Sequence, residues 1–352
     1  MAEGTKALAA KLYAAQEAWR PIRRRAKDKT ARSLILFTTK ALATKPTTKA
    51  ATAQLARISR KAPQAMLKVS KATYGAKHTF SNFTYISRNG KVPIYDQDGV
   101  EITDTEDMMT LAQEWHELNF NPDDLDTRAP APDARRLILS MPKGSDPDIV
   151  LQAAAATARH LFEDRYDYIY GLHTDEGKGK SPHPHVHLTV RAKSHEGVPL
   201  AFGPDDLLYM RRVFATELRE RGIDADATPQ ITRGARLNNE HSRTYQARLN
   251  VEKNNQDLGK AKRTFARDMR RMEKGDDRAY YSVDVVQLYT ELMAELMKSP
   301  APDHRQLGQQ FGQFVSYHYN ITFSTDGQAL KPSDGGRATP PIERDKPDKP
   351  RL

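Results

Sequence analysis

The chain contains no cysteine and no long apolar run. Without cysteine it can form neither disulfides nor thiolate metal sites, so any metal must be bound by histidine, aspartate or glutamate. No window approaches the roughly 20 apolar residues that a helix needs to cross a bilayer. We therefore expect a protein without membrane insertion that works in the cytoplasm. Its length of 352 residues favours about two domains.

Positive charge is concentrated at one end of the chain. The net charge is +10, yet residues 1–61 hold 15 Lys or Arg and only three acidic residues, a local charge of +12. The remaining 291 residues therefore sum to −2. This asymmetry indicates an arm that binds a polyanion, although a solvated, partly disordered leader would have the same composition.

The sequence pattern divides the chain into four parts. These are a basic N-terminal extension at 1–61, a compact domain at 62–245, a basic helical region at 246–330 and a disordered tail at 331–352. In the compact domain, strands are predicted at 64–70, 136–141, 165–173 and 183–192, the last two as possible hairpin partners. Helices are predicted at 79–88, from Asp104 to Leu118, at 147–164 and from Pro204 to Gly222.

Four of the eleven histidines fall within fifteen residues. In a strand, His183, His185 and His187 point to one face while Val186 and Leu188 point to the other. Histidines two residues apart have β-carbons about 6.5–7 Å apart, so their ring nitrogens can converge on one cation. The neighbouring segment would add a further imidazole. This pattern favours a metal site over ordinary surface histidines.

A third ligand and an orienting group are available in that neighbouring segment. His173 would complete a set of three imidazoles, and Asp175 could orient one ring by accepting its other N–H. The donor type leaves Zn, Mn, Fe, Co and Ni open and allows Mg when phosphate oxygens complete the shell. A hydrolase that uses a metal-bound water, with Asp175 or Glu176 as general base, is one alternative.

Three motifs occur in the order found in one enzyme family. His173-Thr174-Asp175 followed by His183-Pro184-His185-Val186-His187 resembles the third motif of HUH endonucleases, in the form carried by conjugative relaxases. Within these it is most similar to the P-type mobilization group, which includes the T-DNA border endonuclease. The segment YISRNGKV resembles the family's nucleophile motif, and LILSMPKG resembles its middle motif. The resemblance spans about residues 62–245.

The resemblance implies an α+β fold, an antiparallel sheet with helices packed on one face and the metal site on the other. A helical C-terminal region and a basic helical N-terminal extension would be appended. It also implies catalytic and metal-binding roles. Tyr85 would be the nucleophile, with Ser140 and Asp175 as further catalytic residues. The metal, Mg²⁺ or Mn²⁺, would be held by His173, His185 and His187, with His183 as a possible substitute for a ligand.

The implied partner is single-stranded DNA at a nick site, gripped by Arg88, Lys91 and Lys143. The enzyme would nick one strand at a transfer origin of a plasmid or similar element and pilot it to a type IV secretion channel. A coupling protein and an accessory DNA-binding protein would then be partners, and the C-terminal tail could be a translocation signal. Two further alternatives are a rolling-circle replication initiator, which shares the chemistry, and a DNA-binding accessory protein without catalysis.

Overall fold

A computed structural model describes five main stretches of the chain. They are residues 48–119, 131–162, 165–174, 183–228 and 289–319, with the two short pairs 322–323 and 329–330. Most of the N-terminal extension and the whole C-terminal tail lie outside these residues. So does Asp175.

Six strands form one antiparallel sheet in the order β1-β4-β6-β5-β2-β3. The strands are β1 Met66–Val69, β2 Ile94–Asp96, β3 Glu101–Ile102, β4 Ala134–Ser140, β5 Tyr168–His173 and β6 His185–Arg191. Strands β5 and β6 are hairpin partners, as predicted. The two histidine-bearing strands therefore lie at the centre of the sheet, each paired along both of its edges.

Six helices have defined bounds in the described residues. They are α1 Thr48–Ser59, α2 Ala76–Ile86, α3 Thr105–Asn119, α4 Pro147–Phe162, α5 Pro204–Glu220 and α6 Pro302–Tyr319. Residues 289–298 are also helical, and the short strands β7 Thr322–Phe323 and β8 Ala329–Leu330 pair after α6. The start of α3 follows its sequence signal, because Asp104 Oδ1 accepts the backbone N–H of Glu106 at 2.8 Å.

The main core lies between the first face of the sheet and helices α4 and α5. Strand alternation puts Leu137 and Leu139 of β4 and Val186 and Leu188 of β6 on this face, where all are buried. The alanine run of α4 allows that helix to lie close to the strands. The α+β class and the antiparallel sheet are thus confirmed.

The second face of the sheet is also partly covered by helices, contrary to the expectation of helices on one face only. The half of this face near β2 carries Ile94 and Ile169, which are fully buried under Phe83 of α2 and Trp115 of α3. The Phe83 and Trp115 rings meet edge to face, with centroids 5.3 Å apart. Apolar side chains on that half require cover from water. The histidines lie on the other half, where His173 is buried and His185 and His187 are half-buried.

Helix α1 packs on the C-terminal helices instead of standing apart as a loosely attached extension. Leu55 and Ile58 are buried against Tyr289, Leu292 and Phe311. In addition, ion pairs join Arg57 to Asp226 at 3.6 Å and Arg60 to Asp224 at 2.7 Å. The end of the predicted basic extension is therefore an integral part of a helical cluster.

Candidate active site

The hairpin of β5 and β6 brings three histidines together on the second face of the sheet. His173 and His185 are direct cross-strand partners, and His187 lies opposite Gly171, so all three rings project to one side. Ring centroids are 4.5 Å apart for His173 and His187, 5.2 Å for His185 and His187 and 5.3 Å for His173 and His185. One potential ligand atom from each lies within 4.8 Å of the others.

Hydrogen bonds to backbone carbonyls define which ring nitrogens carry a proton. A carbonyl oxygen only accepts, so His173 Nε2–H donates to Ile86 O at 2.7 Å and His185 Nδ1–H donates to His183 O at 2.8 Å. In the neutral rings, His173 Nδ1 and His185 Nε2 therefore carry lone pairs. These carbonyl contacts orient two of the rings, a role that the sequence reading gave to Asp175.

The ring of His187 is neutral. Burial lowers the pKa of His187 to about 3, with smaller contributions from His173, His185, Arg88 and Arg136. His187 Nε2 is buried without a hydrogen-bond partner among the described residues. An unpartnered buried nitrogen is costly in a folded protein unless something binds it.

The three rings together fit a divalent cation. Each can offer an unprotonated nitrogen, which is the form that binds a metal, and imidazole suits Zn²⁺, Fe²⁺ and Ni²⁺ well. The orphaned His187 Nε2 is the observation that favours this fit. His183 is exposed, contributes its backbone carbonyl and is not one of the three clustered side chains.

Tyr85 lies beside this histidine cluster, in the last turn of α2. Its ring centroid is 5.5 Å from that of His187 and 6.1 Å from that of His173. The side chain is 53% exposed, which is unusual for a large aromatic residue in an otherwise buried helix end. The phenol is therefore open to solvent beside the imidazoles.

A close contact between α2 and β5 positions Tyr85. A β-carbon at Gly171 would lie 2.8 Å from Ile86 Cγ2 and 2.9 Å from Ile94 Cγ2, so only glycine lets the end of α2 approach the strand this closely. The same approach brings Ile86 O within reach of His173. One glycine thus fixes the position of the tyrosine and the orientation of a histidine.

Of the other predicted site residues, Arg88 and Ser140 lie next to histidines of the cluster. The Arg88 guanidinium donates to His173 Nδ1 at 3.2 Å, and its Cζ lies 5.5 Å from the Tyr85 ring centroid. Ser140 is the cross-strand partner of His185 and shares its face. Lys91 and Lys143 are exposed on turns that follow α2 and β4.

A cavity of about 170 Å³ adjoins Tyr85 and His187. Its polar lining includes Asn82, Arg136 and Thr189, none of which the sequence reading assigned to the site. The Thr189 hydroxyl donates to Asn82 Oδ1 at 3.2 Å, and burial lowers the pKa of Arg136. Alternation along β4 and the three-residue spacing between positions 82 and 85 on a helix could have found two of these residues.

The family comparison agrees with this geometry. Residues 85–223 match the family model described as "Relaxase: MobA/VirD2-like, nuclease domain". The chain carries a MobA/VirD2-like relaxase domain. No curated protein matches it significantly. The matched range begins at Tyr85 and includes β5, β6 and α5, so the relaxase domain contains the complete histidine cluster.

A nuclease domain of this kind indicates a DNA-nicking enzyme, and relaxases act on single-stranded DNA. The resemblance found in the three motifs is thereby confirmed. Among the described helices, none is long and apolar enough to cross a membrane.

Proposed function

We propose that the protein nicks one DNA strand at a specific transfer origin by transesterification on Tyr85. The observation that carries this proposal is the position of the exposed Tyr85 phenol beside the cluster of three histidines. Its ring centroid lies 5.5 Å from that of His187. A water-using phosphodiesterase has no need of an exposed tyrosine at that position. An enzyme that uses tyrosine as its nucleophile requires an exposed tyrosine there.

In the proposed step, Tyr85 Oη loses its proton and attacks the phosphorus of the scissile phosphodiester. The Oη–P bond forms while the bond from phosphorus to the 3′-oxygen breaks, and that oxygen takes a proton to become a free 3′-hydroxyl. The product is a 5′-phosphotyrosyl bond. Since one phosphate ester replaces another, the step is reversible, and the enzyme can rejoin the strand after transfer.

His173, His185 and His187 would hold the metal ion, which we propose to be Mg²⁺ or Mn²⁺. When bound, a divalent cation stabilises the negative charge that develops on the non-bridging phosphate oxygens. The imidazoles have nitrogen lone pairs available for the metal. Carbonyl contacts leave the lone pairs on His173 Nδ1 and His185 Nε2, and burial keeps the His187 ring neutral. Asp175 is proposed as a further catalytic residue.

DNA binding is proposed to involve Arg88 beside the histidines, Lys91 and Lys143 on exposed turns, and Ser140 beside the nick. Lys91 and Lys143 are exposed, so their ammonium groups are available to contact phosphates. After nicking, the covalently attached protein would pilot the strand in conjugation or mobilization from the bacterial cytoplasm. Its proposed partners are a type IV secretion coupling protein and an accessory DNA-binding protein.

The decisive experiment compares the wild type with Tyr85→Phe. Short single-stranded oligonucleotides from the parent plasmid or element are incubated with and without Mn²⁺ or Mg²⁺ and run on a denaturing gel. The wild type should give a shifted, protease-sensitive band that requires the metal, and Tyr85→Phe should give none. Tyr74→Phe is the matched control, because Tyr74 is also exposed, at 46%, and should nick normally.

Each alternative function gives a different result. If Tyr85→Phe still cleaves the oligonucleotide, a water-using phosphodiesterase replaces the proposal. Binding without cleavage by the wild type would indicate an accessory protein. A rolling-circle initiator would form the same adduct but would act on oligonucleotides from a replication origin and not from a transfer origin.

A further inference from the structure

Arg88 holds an unusual position for a positively charged side chain. It follows α2 with a φ of 53°, and Asn89 and Gly90 after it also have positive φ values, of 57° and 78°. This left-handed turn is unfavourable for an arginine. It directs the guanidinium back over the Tyr85 ring and onto His173 Nδ1 at 3.2 Å. A cation therefore points into a cluster that is built to bind a cation.

The two hydrogen bonds of His173 define what Arg88 does there. Nε2–H donates to Ile86 O at 2.7 Å, so the proton of the neutral ring is on Nε2. A guanidinium can only donate, so the contact at Nδ1 uses the ring's single lone pair. A metal ion bound to His173 must use that same lone pair, because the other nitrogen is occupied by its proton. Arg88 and the metal ion cannot bind His173 Nδ1 together.

We propose that Arg88 is a resident cation of the histidine cluster, which occupies His173 Nδ1 in the metal-free protein and turns to DNA phosphate when a divalent cation takes that nitrogen. The displaced guanidinium would remain beside Tyr85, where a scissile strand would pass. Arg88 is thus a positioning residue that couples metal binding to phosphate binding. The phosphate half of this inference rests on the proposed function, whereas the metal half does not.

The first test measures Mn²⁺ binding to the full chain without DNA, by isothermal titration calorimetry. Arg88→Gln removes the competing cation, and Arg88→Gly does so with a residue suited to the positive φ. Both should bind Mn²⁺ about tenfold tighter than the wild type; partners of a metal ligand change metal affinity on this scale, and here the partner competes with the metal. The control Lys91→Gln removes an exposed charge three residues away and should change the affinity less than about threefold, because solvent and salt screen it.

The second test measures the affinity for a labelled thymidine oligonucleotide with and without Mn²⁺. In the wild type Mn²⁺ should strengthen DNA binding, and DNA should strengthen Mn²⁺ binding by the same factor. Both Arg88 variants should lose this mutual effect, whereas Lys91→Gln, which weakens DNA binding with and without Mn²⁺ alike, should keep it. The inference is overturned if the Arg88 variants bind Mn²⁺ no tighter than the wild type, if no form binds Mn²⁺, or if the mutual effect persists without Arg88.

Failure of this inference is distinct from failure of the proposed function. Continued nicking by Tyr85→Phe would remove the tyrosine mechanism yet leave the Mn²⁺ affinities of the Arg88 variants unaffected. Conversely, unchanged Mn²⁺ affinities would remove the role of Arg88 and leave the tyrosine adduct in place.

Discussion

Replacing Gly171 by alanine tests whether the close approach of α2 to β5 positions the nucleophile. The new methyl carbon would lie 2.8 Å from Ile86 Cγ2 and 2.9 Å from Ile94 Cγ2. Carbon atoms pack best at about 3.5 Å or more, so the end of α2 must retreat by roughly 0.7 Å. Overpacking of this kind costs about 1–3 kcal/mol of unfolding free energy. Both contacts come from side chains with 0% exposure, which leaves little room for relief.

The same displacement should reduce activity more than stability. It moves Tyr85 and Ile86 O together, so the phenol shifts away from the histidines and His173 loses its orienting acceptor. Misplacement of a reacting group by about 1 Å can lower a rate about a hundredfold. We therefore expect Gly171→Ala to nick at least about tenfold more slowly at temperatures where it is fully folded. Denaturant unfolding and single-turnover nicking measure the two effects.

A matched control separates packing from positioning. Gly312→Ala would put a β-carbon 2.7 Å from Met293 Sδ, a similarly close contact in the C-terminal helical cluster. It should leave the nicking rate of the folded protein unchanged, and its effect on stability should be small, because the flexible Met293 side chain can shift and alanine favours a helix over glycine. If Gly171→Ala unfolds and nicks as the wild type does, or if both variants slow nicking equally, Gly171 does not position the tyrosine.

Three further predictions concern the surroundings of the cluster. Thr189→Val removes the buried hydrogen bond to Asn82 and should cost about 1 kcal/mol of unfolding free energy, measured in urea; an unchanged midpoint would contradict this. His187 has a pKa of about 3 when folded and 6.5 when unfolded, so the unfolded chain binds the extra proton between these values. The unfolding free energy of the metal-free protein should therefore fall as the pH drops from 6.5 toward 3, and His187→Asn should show a shallower fall; equal slopes would refute the assignment. Lys143→Ala and Lys91→Ala should each reduce the slope of log affinity for single-stranded DNA against log salt by about 0.7, and an unchanged slope would exclude a phosphate contact.

Local periodicity explains the parts of the fold that could be predicted from sequence. Alternation put His185 and His187 on one face and Val186 and Leu188 on the other, and the structure agrees, because the direction of a side chain in a strand depends only on its neighbours. Helical spacing was less complete as a guide. Leu118 continues the apolar stripe of α3 but is 63% exposed, whereas the polar Asn119 next to it is buried and donates to Asp133 O at 2.7 Å.

Contacts between distant segments could not be predicted in the same way. The role of Gly171 depends on Ile86, which is 85 residues earlier in the chain, and a glycine in a strand has several possible explanations. The hydrogen bond that fixes the protonated nitrogen of His173 depends on the same approach. The motifs identified Tyr85 and the histidines as candidates, but the order of the strands determines that they meet.

The packing of α1 has a practical consequence for truncated versions of the protein. A fragment that begins at the predicted domain start, residue 62, would lack Leu55 and Ile58 and would expose the apolar surface of the C-terminal helices to water. It would also lack Arg57, which forms an ion pair with the buried Asp226. Such a fragment should aggregate even though every catalytic candidate is present. A fragment that starts before Thr48 should express without aggregating.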